Sequence, residues 1–224
     1  MKTGNCTYGC PEDLPAVMPV FPLSAALLLP RADMPLNIFE PRYLAMVDTA
    51  LCADRVIGMV QPDEGAAPVP SGPALRSVGC AGRITSFAET GDGRYMITLT
   101  GIARFRIVEE LPATTPFRQC RVTARPFALD FAACAADETV DRSSLLRTFR
   151  AYLRAHNLEA DWESVGRASN ETLVNALAMM APFGPAEKQA LLEAPDLRAR
   201  AETLVAITEM VLPGEPGSGG RRLQ

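Results

Sequence analysis

Lysine is nearly missing from this chain: Lys2 and Lys188 are the only two among 224 residues. Neither stands in a Gly-x4-Gly-Lys-Ser/Thr run, whose backbone N–H groups and lysine cradle a nucleotide's phosphates. Lys188 lies in Ala186-Glu-Lys-Gln, which has no glycine turn. Histidine is scarcer still. His156 stands alone, so a Ser-His-Asp triad has one candidate base and a multi-imidazole metal site is excluded. Apolar runs are short, as at Ala25-Ala-Leu-Leu-Leu29, well below the roughly 20 residues a membrane-spanning helix needs. The first fifteen residues lack a basic start followed by an apolar stretch, so no secretory signal is read there and a cytoplasmic protein is expected.

Cysteine is present but scattered, at Cys6, Cys10, Cys52, Cys80, Cys120 and Cys134. In a chain large enough to build a core this reads as reduced thiols, not a disulfide framework. Cys6 and Cys10 are spaced like half of a zinc site, but a zinc ion needs about four ligands. No metal and no cofactor are expected. An apolar fraction of 48% with 21% charge is that of a globular protein with a sizeable core. The net charge of −4 argues against bulk binding of nucleic acid, which relies on neutralising phosphates, while leaving room for a local basic face.

Read in order, residues 1–15 carry Gly, Pro and polar residues without period and are expected to form a flexible tail. Residues 17–29 read as two short extended pieces. A helix is expected over 41–52 and a strand over 56–60; 61–73 is a Pro/Gly loop. Strands follow over 77–90, 94–100, the stretch after Gly101, and 118–125, with Gly91-Asp-Gly93 as a tight turn. In the stretch after Gly101, period two puts Phe105 and Ile107 on one face and Arg104 and Arg106 on the other. From about Asp137 the period changes to helical, and the chain divides near residue 128 into a β-rich and an α-helical half. Leu145, Phe149 and Leu153 form one stripe; Leu173, Leu177 and Met180 form a second, with Ser169 as its cap. Pro185 opens a third helix and Asp196 caps the last. A flexible tail is expected over 214–224.

One stretch stands out: Pro35-Leu-Asn-Ile-Phe-Glu-Pro-Arg-Tyr43. Pro41 suits the first helical position, and Glu40 puts negative charge near the positive helix end. A carboxylate, a guanidinium and a phenol are held together at one rigid corner. This run resembles the signature of the Lon protease N-terminal, substrate-binding domain family. Further matches occur in the family's order: Met18-Pro-Val-Phe-Pro-Leu23, Leu27-Leu-Leu-Pro30, Val78-Gly79, Asp92-Gly-Arg94, Gly101-Ile-Ala-Arg-Phe-Arg-Ile107, Leu173-Val-Asn-Ala-Leu-Ala178, Glu187-Lys-Gln-Ala-Leu-Leu-Glu193 and Arg200-Ala-Glu-Thr-Leu204. The resemblance implies an α+β fold, a PUA-like β barrel (16–128) followed by a C-terminal α-helical bundle (129–213). It implies a non-catalytic module that holds unfolded or apolar polypeptide segments, or docks a protein partner, in protein quality control. The alternative is RNA binding through a PUA-like barrel.

The candidate binding residues are Phe39, Glu40, Arg42, Tyr43 and Arg104. Glu40 and Arg42 are read first as a tie between the helix-one corner and the barrel, with Arg104 as a further partner. A groove near the barrel–bundle junction is the expected polypeptide site. Other constellations have plainer readings. Pro70-Ser-Gly-Pro73 superficially matches the surroundings of a Lon peptidase serine, but it reads as a linker with no partner lysine. His156 beside Asn157 reads as a helix end. Glu109-Glu110, Asp137-Glu138 and Asp141 read as solvated ends, and Met179-Met180 as core. Tyr95 and Phe105 are read as buried, which leaves RNA no exposed aromatic to stack on.

Overall fold

The computed structural model describes residues 1–132, 140–157 and 159–211. Its β part starts with a small hairpin, β1 (Lys2–Thr3) and β2 (Cys6–Thr7). Then come β3 (Val17–Pro22), β4 (Asp33–Ile38), helix α1 (Pro41–Leu51), β5 (Val56–Val60), β6 (Val78–Glu89), β7 (Tyr95–Glu110) and β8 (Arg118–Thr123). The helical part comprises α2 (Arg142–Ala155), α3 (Trp162–Arg167), α4 (Asn170–Met180), α5 (Pro185–Glu193) and α6 (Leu197–Val211). This is the expected α+β layout, barrel first and helices after.

The larger sheet runs β4-β7-β6-β5-β3-β8, and a β7–β8 pairing closes it into a barrel. Strand β7 makes closure workable because, on the edge away from β6, it serves two partners. Its first half pairs with β4, from Tyr95 against Ile38 to Thr100 against Asp33. Its second half pairs with β8, from Arg106 to Glu110. The sequence suggests a break at Gly101; the strand continues through it, with a shift of register against β6 beside it. Gly101 passes so close to the Leu29 carbonyl that a Cβ would lie 2.0 Å from its oxygen, so only glycine fits there. Gly91 and Gly93 have φ of 79° and 85°, as the β6–β7 turn requires. Strand β4 is the outer strand of this arm, and Pro35 sits in it, where a missing N–H is tolerated.

Several expectations change. Residues 1–15 are packed rather than loose: Tyr8 and Leu14 are buried, and Arg83 donates to the Tyr8 hydroxyl at 3.2 Å. Two apolar side chains in an otherwise polar segment suffice to pin it, and composition alone hides them. Of 17–29, only Val17–Pro22 is a strand; Leu27, Leu28 and Leu29 are buried without sheet pairing. Helix α3 was not foreseen; Asp161 caps it by accepting from Glu163 N and Ser164 N. The other caps are as expected, with Ser169 on α4 and Asp196 accepting from Ala199 N at 2.8 Å. Asp141 caps α2 by accepting from Ser144 N at 3.0 Å. Cys134, Asp137, Glu138 and the tail over 214–224 lie outside the described residues.

The boundary near residue 128 does not divide the core. One buried cluster joins barrel residues such as Phe21, Leu28, Ile57 and Leu99 to helix residues such as Leu145, Leu177, Leu191 and Leu204. A second fills the barrel around Phe105, Met18, Val20 and Ile102. Residue 128 itself falls inside a 3-10 turn, Arg125–Phe131, whose Asp130 and Phe131 are buried.

Candidate functional site

The corner foreseen from 35–43 forms around the start of α1. Glu40 is the residue before the helix, extended at φ −72°, ψ 132°, and Pro41 takes the first helical position. The Glu40 carboxylate caps no backbone N–H. It pairs instead with Arg42, whose Nε donates at 2.9 Å and whose Nη2 lies 2.7 Å away. The Arg42 guanidinium lies 4.5 Å over the Tyr43 ring. Tyr43 is buried and its ring meets Phe21 at 4.2 Å; burial raises its phenol pKa. Tyr43 is thus the anchor of the corner, and the ion pair rides on its outer side.

Phe39 behaves in the opposite way. It is 60% exposed, though apolar, with Arg94 stacked 5.8 Å from its ring centroid. Met96, 43% exposed, stands opposite Asn37 on β4 and Ala88 on β6. Period two keeps this row on the face away from buried Ile97 and Leu99. On the reverse face of the hairpin tip Phe87 meets Tyr95 at 5.0 Å, and both are partly exposed. Tyr95 is therefore not the buried residue expected. Residues 85–94 at the tip of the β6–β7 arm are exposed, so this end of the hairpin is only part covered.

Arg104 is not part of this corner. It is buried, and its guanidinium binds Asp130 through Nε at 2.9 Å and Nη2 at 2.8 Å. The Asp130 carboxylate also accepts from Arg104's own backbone N–H at 2.9 Å. The remaining Arg104 donors reach the carbonyls of Leu192, Ala194 and Pro195, and Phe127 lies 4.8 Å beneath the guanidinium. Arg104 therefore caps the C-terminal end of α5, where carbonyls lack helical partners and a cation is favoured. Period two alone sends Arg104 outward with Arg106. The bundle covers that face at Arg104 and leaves Arg106 exposed.

The junction expected to hold a groove is mostly a polar seam. Arg31, at φ 66°, binds Glu171 through Nε and Nη2 and donates to the Asp130 carbonyl at 2.7 Å. Gln189 donates to the Val78 carbonyl, Gln61 to the Pro185 carbonyl and Asn175 to the Pro30 carbonyl. Buried Arg200 donates to the Leu191 carbonyl at 3.0 Å; burial, and next the Arg104 charge, lower its pKa to about 10. Beside the seam lies a cleft of about 350 Å³ lined by Arg31, Asp33, Asn175, Met179 and Met180. That is at the small end for a ligand site. Met180, expected in the core, is 79% exposed at its rim.

The other candidates separate. Of the barrel arginines, Arg94 pairs with Asp92, Arg104 is buried, and Arg83 is engaged by Tyr8 and the Asp54 carbonyl; they make no continuous basic face. Glu109 and Glu110 are not simply solvated: they pair across strands with Arg121 and Arg118, and Arg118 lowers the Glu110 pKa. His156 follows α2, exposed, with its ring 4.4 Å from Tyr152.

The family model of the ATP-dependent protease La (LON) substrate-binding domain matches residues 17–209. The chain belongs to this family. Similar proteins include Lon protease 2 of Myxococcus xanthus, 32% identical over 113 residues, covering 50% of this chain and 14% of that protein. Lon protease of Syntrophus aciditrophicus (strain SB) is 26% identical over 208 residues, covering 87% of this chain and 25% of that protein. The chain thus spans about a quarter or less of these relatives' length. The N-terminal domain of Mycobacterium avium complex Lon protease has the same fold, with a TM-score of 0.63 at 19% identity, over 88% of this chain and 100% of that one. So does a Lon N-terminal domain protein from Xanthomonas campestris, TM-score 0.59 at 23% identity, over 85% and 97%.

Proposed function

We propose that this LON-family domain is a non-catalytic polypeptide-recognition module of protein quality control, and that the Phe39 corner is its contact surface. The observation that carries the reading is the exposure of Phe39 inside the family's own signature. An aromatic ring standing 60% in water has no folding role that explains it. Met96 and the Phe87–Tyr95 pair extend the apolar area on both faces of the arm. The nearby charges are self-neutralised, Arg42 by Glu40 and Arg94 by Asp92, so they frame the patch without selecting for charge. The surface suits apolar side chains of an extended segment, with recognition driven by burial.

The test is binding of a reduced, alkylated, fluorescently labelled polypeptide, followed by anisotropy. The wild-type domain should bind it more tightly than its folded counterpart. The double variant Phe39→Asp, Met96→Asp should lose about tenfold or more, because burying a new carboxylate cancels the apolar gain. Equal binding by wild type and double variant, both folded by circular dichroism, would remove the corner from the mechanism.

A further inference from the structure

Ten of the described arginines pair with a carboxylate: Arg31, Arg42, Arg76, Arg94, Arg104, Arg118, Arg121, Arg125, Arg167 and Arg198. Of the described arginines without such a pair, Arg147, Arg150 and Arg154 stand together on one helix. Spaced i, i+3, i+7 on α2, they share one helix face and all are exposed. Among the described residues none has a carboxylate within ion-pair distance; Arg147 donates only to the Ser144 hydroxyl, at 3.2 Å. Trp162, 42% exposed, adjoins the stripe. The Arg150 guanidinium lies 4.7 Å over its ring and Phe149 meets it edge-on at 6.1 Å. The carboxylates flanking Trp162 in sequence are partly spoken for. Asp161 caps α3 and Glu163 pairs with Arg167; Glu159 is exposed.

We propose that the Arg147–Arg150–Arg154 stripe with Trp162 is a docking surface for an acidic polypeptide segment. A guanidinium held over an aromatic face still has its N–H edge available for hydrogen bonding. Arg150 is therefore preset for bidentate pairing with a carboxylate. Two more arginines along the same helix face can take further carboxylates of an extended chain. Arginine and tryptophan are also the residues that most often dominate protein–protein contacts. Single-stranded RNA is the less suited occupant: Arg150 already covers one face of the indole, and bases stack on such faces. The surface is separate from the Phe39 corner and does not depend on it.

Trp162 is the sole tryptophan, so selectively excited tryptophan emission reports on this face alone. The probe is a fluorescein-labelled decapeptide of alternating Glu and Gly, with its Gln-for-Glu version and an oligouridylate of equal charge as controls. The acidic peptide should bind saturably, perturb Trp162 emission and dissociate as salt is raised. Arg147→Gln, Arg150→Gln, Arg154→Gln together should weaken it about tenfold or more. Should the triple variant melt early, Arg147→Gln, Arg154→Gln leaves the Arg150–Trp162 stack intact and should still weaken binding severalfold. Phe39→Asp should leave this binding unchanged. Equal affinity for the Gln peptide, full binding by the charge-removed variants, or tighter binding of oligouridylate would overturn the proposal.

Discussion

Two arginine–carboxylate pairs of this domain have nearly equal contact distances and unlike surroundings. Arg42 and Glu40 meet at 2.7 Å on the helix-one corner, half in water. Arg104 and Asp130 meet at 2.8 Å in the seam between barrel and bundle, with 3% and 7% of their side chains exposed. In water the attraction is screened and the pair contributes little. In the seam both charges have lost their hydration, so each depends on the other and on the carbonyls at the end of α5. The distance between charges therefore says little about a pair's role. What decides is whether water can replace a missing partner.

The sharpest way to break that comparison is to truncate one partner of each pair. Arg104→Ala should destabilise by about 3–5 kcal/mol, because Asp130 is left as a buried charge and the α5 carbonyls lose their cap. Denaturant titration of the midpoint checks this. If Arg104→Ala costs no more than a surface substitution, the seam is wetter than its burial indicates.

An intermediate effect comes from the barrel interior, where thiols take the place of charges. Burial raises the Cys80 thiol pKa well above its usual range and the Cys120 thiol to about 11. A thiol is neutral when protonated, so above about pH 9 the unfolded chain releases protons that the folded chain still holds. Stability is then fully present below the unfolded pKa and falls as pH rises, with a slope of up to roughly 1.4 kcal/mol per pH unit per thiol. For Cys120 the fall ends near pH 11. Thermal melts from pH 8 to 11 should show this decline, and Cys80→Ala, Cys120→Ala should flatten it. An unchanged slope would mean other groups cause it.

The smallest effect belongs to the corner. Glu40→Ala or Arg42→Ala should shift stability by about 1 kcal/mol or less, since water solvates the remaining charge. Midpoints read alongside those of Arg104→Ala make the contrast quantitative. A corner variant that costs as much as the seam variant would mean the ion pair carries structure beyond its exposure.

Much of this was open to reading in the residues. The strand alternation over 94–107, the Gly91-Asp-Gly93 turn, Pro41 at the helix start and the Ser169 and Asp196 caps rest on near-neighbour geometry, which local sequence specifies. The corner was legible for the same reason: Glu40, Arg42 and Tyr43 lie within one helical turn, and their contacts are with each other or the adjoining core. Asp130 was not legible. It sits 26 residues from Arg104 in a short, mostly apolar 3-10 turn, with no motif to mark it. Met180 failed for a related reason. Its helical spacing with Leu177 is right for a core stripe, but the stripe's end overhangs the cleft.

The sequence by itself determined the β-then-α layout, the family, and the chemistry gathered at the helix-one corner. Periodicity, turn residues and caps act over a few residues and leave their mark directly in the chain. Only the tertiary structure decided which of two alternating arginines is buried and that Phe39 stays in water. It also decided that three exposed α2 arginines have no carboxylate partner among the described residues. Those outcomes depend on which distant surface lies opposite each side chain, and on whether water is left between them.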